Sequence, residues 1–157
     1  EDFPQVIRPE VAYIATWLLE NVVNMGTGAP ARRALGMRFG GKTGTTQDFK
    51  DTWFVGFSND VMTAAWVGYD EPRTLGVSST GGRTALPIWI DVMREAAPKE
   101  TDRPFEPKGD VDWAQIDEDK GTRVTSGGRN YPFVPGTVPD STGVAAGEYT
   151  VDDLTEL

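Results

Sequence analysis

Residues 40–46 surround a single lysine with glycines and threonines, and they carry the residue types best suited to chemistry in this chain. The ammonium group of Lys42 can attract an anion, and the hydroxyls of Thr43 and Thr45 can donate hydrogen bonds to it. Gly44 has no side chain, which lets a ligand approach the backbone closely. The string therefore predicts a site for an anionic ligand, and two kinds of site fit its letters.

The first kind is a nucleotide-binding P-loop, because Gly36 and the triplet Gly41-Lys42-Thr43 match the pattern G-x-x-x-x-G-K-[ST]. That loop needs a strand before Gly36 and a helix that starts near Lys42, whose N–H groups surround the phosphates. The sequence favours neither element, since residues 29–35 have a helical pattern and the chain after Lys42 runs towards a strand. Nucleotide binding therefore stays only as an alternative.

The second kind is the Lys-Thr-Gly motif of serine acyltransferases that react with β-lactams, formed here by Lys42, Thr43 and Gly44. Further motifs flank it in a fixed order: Pro9-Glu10-Val11-Ala12-Tyr13, Gly26-Thr27-Gly28, Lys50-Asp51-Thr52-Trp53-Phe54-Val55-Gly56-Phe57, Trp66-Val67-Gly68-Tyr69-Asp70, Thr80-Gly81-Gly82-Arg83 and Pro87-Ile88-Trp89. With these motifs, residues 6–105 resemble the end of the transpeptidase domain of class A penicillin-binding proteins, the bifunctional peptidoglycan synthases. Residues 106–139 match more loosely, and residues 140–157 do not match.

The resemblance implies a role for each residue of the central motif. Lys42 would attract the terminal carboxylate of a stem peptide that ends in D-Ala-D-Ala, and Thr43 and Thr45 match the family's carboxylate binders. The backbone N–H of Thr45 matches the donor that completes the oxyanion hole. Gly44 and Thr46 belong to the same substrate-binding strand.

Three further residues, Thr80, Gly81 and Gly82, match a loop that the family places near the mouth of the active site. Threonine and glycine are also common in loops with no binding role, so both interpretations stay open. The resemblance implies a D,D-transpeptidase that cross-links stem peptides through a serine acyl-enzyme, binds β-lactams and needs no cofactor or metal. It also implies a periplasmic or extracytoplasmic location, and a parent protein with a glycosyltransferase domain and an N-terminal membrane anchor.

The catalytic serine of such an enzyme is not encoded in these 157 residues. No serine is followed three positions later by a lysine, and no Ser-x-Asn occurs. In the family both motifs lie upstream of the matching region, so we expect the rest of a longer parent chain to supply them. A non-catalytic peptidoglycan-binding module is the alternative if the parent lacks them.

The elements around the motif follow from apolar spacing and from helix and turn signals. Residues 9–25 are predicted to form an amphipathic helix that begins at Pro9, and a short helix at 29–35 ends at Gly36. The other predicted elements are strands at 38–43, 53–58 and 61–69, a tight turn at Asn59-Asp60, a helix at 85–97 and a small hairpin between 111–116 and 123–125.

These elements predict an α+β fold, with an antiparallel sheet flanked by helices, as in the C-terminal portion of a penicillin-binding transpeptidase or serine β-lactamase-like fold. The helices 9–25 and 85–97 should cover one face of the sheet. Aromatic residues on both faces of residues 53–58 favour a sheet that is covered on both sides. Core positions are therefore predicted for the aromatic residues Trp53, Phe54, Trp66 and Trp89.

Composition excludes several classes of function. The formal net charge of −9 argues against a nucleic-acid partner, which needs a clustered basic surface. The sequence has no histidine and no cysteine, which removes Ser-His-Asp chemistry, disulfides and thiolate metal sites. No apolar run approaches the roughly 20 residues that span a bilayer, so membrane attachment is expected only through the parent's anchor.

The distribution of apolar residues predicts how the chain is organised. They are concentrated before Met93, and glycine and proline break up the sequence that follows. We therefore expect residues 1–105 to be the C-terminal portion of a transpeptidase domain and residues 106–139 to be a loosely structured extension. Residues 140–157 carry acidic but no basic side chains, which predicts a disordered acidic tail.

Overall fold

The computed structural model describes residues 4–97 and 102–142, and the chain divides into two compact units. One unit is Thr16–Phe105, and the other combines residues 1–15 with residues 106–157. The acidic tail predicted from residue 140 lies, beyond Thr142, outside the described residues.

The predicted helices are confirmed, with boundaries that agree to within one residue. They are α1 (Pro9–Met25), α2 (Ala29–Leu35) and α3 (Ala85–Ala96). Gly36 ends α2 in the left-handed conformation, with φ of 67°, and its N–H donates to the Arg32 carbonyl at 3.0 Å; glycine adopts this conformation without a steric penalty. No helix within the described ranges is long and apolar enough to cross a membrane.

The unit Thr16–Phe105 contains a three-stranded antiparallel sheet with the order β1-β2-β3. Its strands are β1 (Gly40–Thr45), β2 (Thr52–Phe57) and β3 (Met62–Val67). The predicted hairpin at Asn59-Asp60 is confirmed, because the Ser58 N–H donates to the Val61 carbonyl at 2.8 Å. The expected α+β architecture with an antiparallel sheet is therefore present.

Helix α3 packs across β2 and β3 and builds the core of this unit. The fully buried Trp89 indole lies with its ring centre 5.1 Å from that of Phe39 and 4.8 Å from that of Phe54. Helix α1 contributes Val23 to this core, whereas its Leu18 is half exposed. The sheet is thus covered mainly by α3, and the predicted cover by the helix 9–25 is limited to Val23 among its fully buried residues.

Among the described residues no element covers the second face of the sheet, so the prediction of a sheet covered on both sides is wrong for this part of the chain. Trp53 and Trp66 pair across β2 and β3 and remain 43% and 44% exposed, whereas Phe54 and Trp89 are core residues as predicted. The two exposed indoles lie 6.3 Å apart between ring centres. Strand residues alternate between faces, and Trp53 falls on the face opposite the buried Phe54.

The other unit contains a second antiparallel sheet, with the order β5-β4-β6. Its strands are β4 (Asp112–Asp117), β5 (Thr122–Val124) and β6 (Arg129–Phe133). The hairpin of β4 and β5 is confirmed, while the sequence did not predict β6. Residues 106–139, for which a loose extension was expected, therefore contain a small three-stranded sheet.

A hydrogen bond between Tyr131 on β6 and Glu118 predicts how the stability of this unit depends on pH. The Tyr131 hydroxyl donates to the Glu118 carboxylate, which raises the pKa of Tyr131 above its ordinary value of 10.0. The raised pKa means that the neutral phenol stabilises the fold below about pH 10, and that this contribution is lost as pH rises through the folded pKa.

We expect Glu118→Gln to lower the Tyr131 pKa towards the ordinary value, because the replacement removes the negative charge that opposes ionisation. NMR titration of isotopically labelled tyrosine measures each of the four tyrosines separately. An unchanged Tyr131 titration in the variant would contradict the hydrogen bond. Tyr69 is the internal control, since its ring contacts the Arg73 guanidinium and not Glu118.

Candidate substrate-binding site

Strand β1 carries the Lys-Thr-Gly motif and presents different residues on its two faces. Thr43 pairs with Phe54 and Thr45 pairs with Thr52, both of which are fully buried on the α3 side of the sheet. Since side chains alternate along a strand, Thr43 and Thr45 share this side, and Lys42 starts on the opposite face. The strand therefore separates its hydroxyl groups from the base of its lysine.

The backbone of β1 has an open edge, because β2 is its only strand partner within the described residues. The Lys42 Nζ reaches this edge and donates to the Thr43 carbonyl at 2.8 Å. The Thr43 carbonyl thus points away from β2. In an antiparallel strand the N–H and C=O of one residue point to the same side, as do those of the residue two positions along. The Thr45 N–H therefore also faces the open edge.

A tight loop before α3 rests directly on β1. The Gly81 N–H donates to the Thr45 Oγ1 at 3.0 Å. A β-carbon at Gly81 would overlap the Trp53 carbonyl oxygen and would lie 2.7 Å from the Gly44 carbonyl oxygen. Glycine is therefore required at this position by the close approach of two backbones, and the loop is held against the motif strand.

Hydrogen bonds at the start of α3 fix the other end of this loop. The Leu86 N–H donates to the Gly81 carbonyl at 2.8 Å, and the Thr84 hydroxyl donates to the Thr80 carbonyl at 2.8 Å. The Thr84 Oγ1 also lies 2.6 Å from the Thr52 Oγ1 on β2. The loop from Thr80 is thereby connected to both the helix and the sheet.

The turn between α1 and α2 closes a pocket against the same strand. Its Thr27 Oγ1 lies 3.1 Å from the Thr43 Oγ1. The pocket has a volume of about 390 Å³ and is lined by Thr27, Thr43, Thr45, Thr80, Gly82 and Arg83. Three separate segments of the chain therefore meet beside the Lys-Thr-Gly strand.

The hydrogen bonds around the threonines leave protons free for a ligand. The Thr45 Oγ1 accepts from the Gly81 N–H, so its own O–H remains available as a donor. The Lys42 Nζ donates to the Thr43 Oγ1 at 3.4 Å, and the Thr27–Thr43 pair shares one further proton. Such an arrangement suits an acceptor such as a carboxylate, which accepts hydrogen bonds but donates none.

The structure brings some of the predicted site residues together and leaves others apart. Thr43, Thr45, Thr80 and Gly82 line the pocket, while Gly81 supports it from behind. Lys42 and Gly44 belong to the strand but do not line the pocket.

Thr46 also lies outside the pocket, because its hydroxyl closes the connection to β2. The Thr46 Oγ1 accepts from the Asp51 N–H at 2.8 Å, and the Thr46 N–H donates to the Asp51 carbonyl at 3.0 Å. These two hydrogen bonds give Thr46 a structural role at the end of β1.

Two residues that line the pocket were not singled out as site residues from the sequence. Thr27 and Arg83 each occurred in a motif of the resemblance, but their side chains had no assigned role. Thr27 stands between two glycines at a helix–helix turn, which was the only local signal. Its position against Thr43 arises from tertiary packing.

The P-loop alternative is wrong. Gly36 caps the C-terminus of α2, and Lys42 lies within a β-strand rather than at the N-terminus of a helix. Phosphate binding by a P-loop depends on backbone N–H groups at the start of a helix, and that geometry is missing around Lys42. Gly40 and Gly41 have a packing role instead, since β-carbons there would lie 2.7 Å from the rings of Phe57 and Phe54.

Comparison with known proteins identifies the family to which the Lys-Thr-Gly strand belongs. The family described as the penicillin-binding protein transpeptidase domain matches residues 3–94. Penicillin-binding protein 1A of Neisseria gonorrhoeae is 47% identical over 97 residues, which is 61% of this chain and 12% of that protein. Penicillin-binding protein 1A of Pseudomonas aeruginosa is 49% identical over 92 residues, or 57% of this chain and 11% of that protein.

A solved structure extends the likeness to the fold. The crystal structure of penicillin-binding protein 1A from Haemophilus influenzae superposes with a TM-score of 0.83 at 31% sequence identity. The match covers 90% of this chain and 22% of that protein chain. The chain therefore corresponds to a minor part of the length of each of these relatives.

Proposed function

The chain belongs to the penicillin-binding protein transpeptidase family, and we propose that it forms the substrate-binding part of a peptidoglycan D,D-transpeptidase. The observation that carries the proposal is the open edge of β1, where the Thr43 and Thr45 backbone faces outward beside the threonine-lined pocket. An extended peptide can bind such an edge by adding a strand to it. Here "the parent" means the longer protein that contains this chain.

The reaction proposed for the parent joins two stem peptides. A serine oxygen outside this chain attacks the carbonyl carbon of the penultimate D-Ala, and the bond to the terminal D-Ala nitrogen breaks. The departing D-Ala takes up a proton, and an acyl-enzyme ester remains. The amine of a second stem peptide then attacks the ester, forms the cross-link and releases the serine. Water in place of the amine would give carboxypeptidase activity.

Strand β1 contributes binding and charge stabilisation to this reaction. The Thr43 and Thr45 hydroxyls would donate to the terminal carboxylate, and the Thr45 N–H would donate to the oxyanion that forms on the attacked carbonyl. One such donor in a preorganised site typically contributes about 3–4 kcal/mol to the rate. Lys42 adds a positive charge and fixes the strand edge through the Thr43 carbonyl.

The site also explains how a β-lactam would bind. A penicillin carries a strained amide beside a carboxylate, which matches the two groups of the peptide substrate. Its ring would open on the same serine and leave a slowly hydrolysed acyl-enzyme. The ligands proposed for the parent are therefore stem peptides ending in D-Ala-D-Ala and β-lactams.

The location and further activity of the parent are part of the same proposal. Cross-linking of peptidoglycan takes place outside the cytoplasm, so we place the domain in a periplasmic or extracytoplasmic compartment. An N-terminal anchor would hold the parent to the membrane, and an upstream glycosyltransferase domain would make the glycan strands. Fractionation of cells, followed by immunodetection of the parent, tests the compartment.

Labelling with a fluorescent penicillin tests the proposed function. We expect the parent to remain labelled on a denaturing gel, because its bond to penicillin is covalent. The isolated 157-residue chain should remain unlabelled, because covalent catalysis needs an activated nucleophile and no serine in it is followed three positions later by a lysine. Heat-denatured parent, and parent treated first with unlabelled penicillin, are the controls. Labelling of the isolated chain would place the nucleophile within it. A folded but unlabelled parent would favour a non-catalytic wall-binding module.

A further inference from the structure

Arg83 gives the threonine-lined pocket a positive charge that the Lys-Thr-Gly motif does not account for. Arg83 lines the pocket together with Thr43 and Thr45, and it is an exposed residue. Within residues 4–97 and 102–142, the guanidinium forms no hydrogen bond and no ion pair. The charge is therefore available to a ligand.

The backbone holds Arg83 in a fixed position relative to the two hydroxyls. The Arg83 N–H donates to the Thr80 carbonyl at 2.9 Å, within the loop that Gly81 connects to Thr45. Leu86 in the first turn of α3 bonds back to the Gly81 carbonyl. A loop that is already held in this way does not have to be ordered when a ligand binds.

Lys42 is placed differently from Arg83. It starts on the opposite face of β1, and its Nζ donates to the Thr43 carbonyl at 2.8 Å and to the Thr43 Oγ1 at 3.4 Å. Lys42 does not line the pocket. A carboxylate that accepts hydrogen bonds from Thr43 and Thr45 would therefore lie in a pocket that Arg83 lines and Lys42 does not.

We propose that Arg83, rather than Lys42, makes the direct charged contact with the ligand's carboxylate and so determines specificity for substrates with a free carboxylate. This inference rests on the function proposed above. A guanidinium suits the task because its planar fork of N–H donors can bind both oxygens of a carboxylate. The hydroxyls of Thr43 and Thr45 complete the set of donors.

The test compares a penicillin that has a free carboxylate with its methyl ester, which lacks the negative charge. The rate constants of acylation are measured for the wild-type parent and for its Arg83→Gln and Arg83→Lys variants. In Arg83→Gln we expect the preference for the acid to fall about ten- to a hundredfold, as for a lost hydrogen bond to a charged group. The rate with the ester should fall much less, because the ester carries no negative charge, and Arg83→Lys should restore part of the preference.

A matched control is Arg94→Gln, because Arg94 lies on α3 and pairs with Asp91 at 2.6 Å, outside the pocket. This variant should keep the wild-type preference, and thermal unfolding should show that all variants are folded. An equal slowing of acid and ester, or an unchanged ratio in Arg83→Gln, would overturn the assignment while leaving the transpeptidase function in place. A wild-type parent that neither compound acylates would overturn both.

Discussion

Replacing Lys42 by alanine in the parent should slow acylation by penicillin by several orders of magnitude. The Lys42 Nζ holds the Thr43 carbonyl at 2.8 Å and lies 3.4 Å from the Thr43 hydroxyl. Its loss would loosen the strand edge and remove a positive charge from beside the reacting carbonyl. The family resemblance implies that this lysine also hydrogen-bonds the serine of the Ser-x-Asn motif expected in the rest of the parent. We expect these contributions to total several kcal/mol. Each loss of about 1.4 kcal/mol of transition-state stabilisation lowers the rate about tenfold.

The effect of Lys42→Ala should be similar for penicillin and for its methyl ester, because the lysine acts on the strand and the reacting centre. This behaviour separates it from Arg83→Gln, which should slow acylation by the acid much more than acylation by the ester. Lys108→Ala is a suitable control, since Lys108 is an exposed lysine in the other unit of the chain. Normal acylation by a folded Lys42→Ala variant would show that the Lys-Thr-Gly assignment is wrong.

The ends of the helices could be predicted because local signals set them. Pro9 starts α1 at its first residue, and Gly36 ends α2 by adopting a positive φ that glycine tolerates. The start of β1 was predicted at Arg38, but the strand begins two residues later, at Gly40. A contact distant in sequence accounts for the difference. The Arg38 N–H donates to an oxygen of Asp102 at 2.8 Å, far along the chain, and not to a neighbouring strand.

Strand β6 could not be predicted because its sequence contains a residue that usually breaks strands. Pro132 has no N–H to donate, so a proline in a strand normally indicates a loop or an edge. β6 is an edge strand beside β4, where Pro132 pairs with Trp113. Only the tertiary pairing shows that the proline is tolerated at this position.

Four of the six residues that line the pocket could be predicted from the sequence, and the other two depend on packing. The motif identified Thr43 and Thr45 because they are neighbours along one strand. Thr27 and Arg83 reach the same pocket from other segments, and no periodicity in the sequence links them to β1. The prediction that Trp53 is a core residue failed for a related reason. Alternation along β2 shows which residues share a face, but it does not show whether another element covers that face.

Replacing Gly81 by alanine should remove most of the activity of the parent and lower its stability. The new β-carbon would overlap the Trp53 carbonyl oxygen and would lie 2.7 Å from that of Gly44. Both oxygens belong to residues that pair across β1 and β2, so neither strand can yield without disturbing the sheet. The loop would have to move away from β1 and would lose its hydrogen bond to the Thr45 hydroxyl. Overpacking of this kind typically costs about 1–3 kcal/mol.

Gly82→Ala provides a stability control that differs by one position in the same loop. Because Gly82 lines the pocket, acylation of Gly81→Ala is compared with that of the wild-type parent. A β-carbon there would lie 3.4 Å from the Thr27 carbonyl oxygen and 3.9 Å from the Thr43 methyl group, which are ordinary contact distances. Neither Gly81 nor Gly82 has a positive φ, so alanine is not penalised at either position by a left-handed backbone. Thermal unfolding and the rate of penicillin acylation measure the two effects. If Gly81→Ala matches Gly82→Ala in thermal unfolding and the wild-type parent in acylation, the loop is not held against the motif strand as the structure shows.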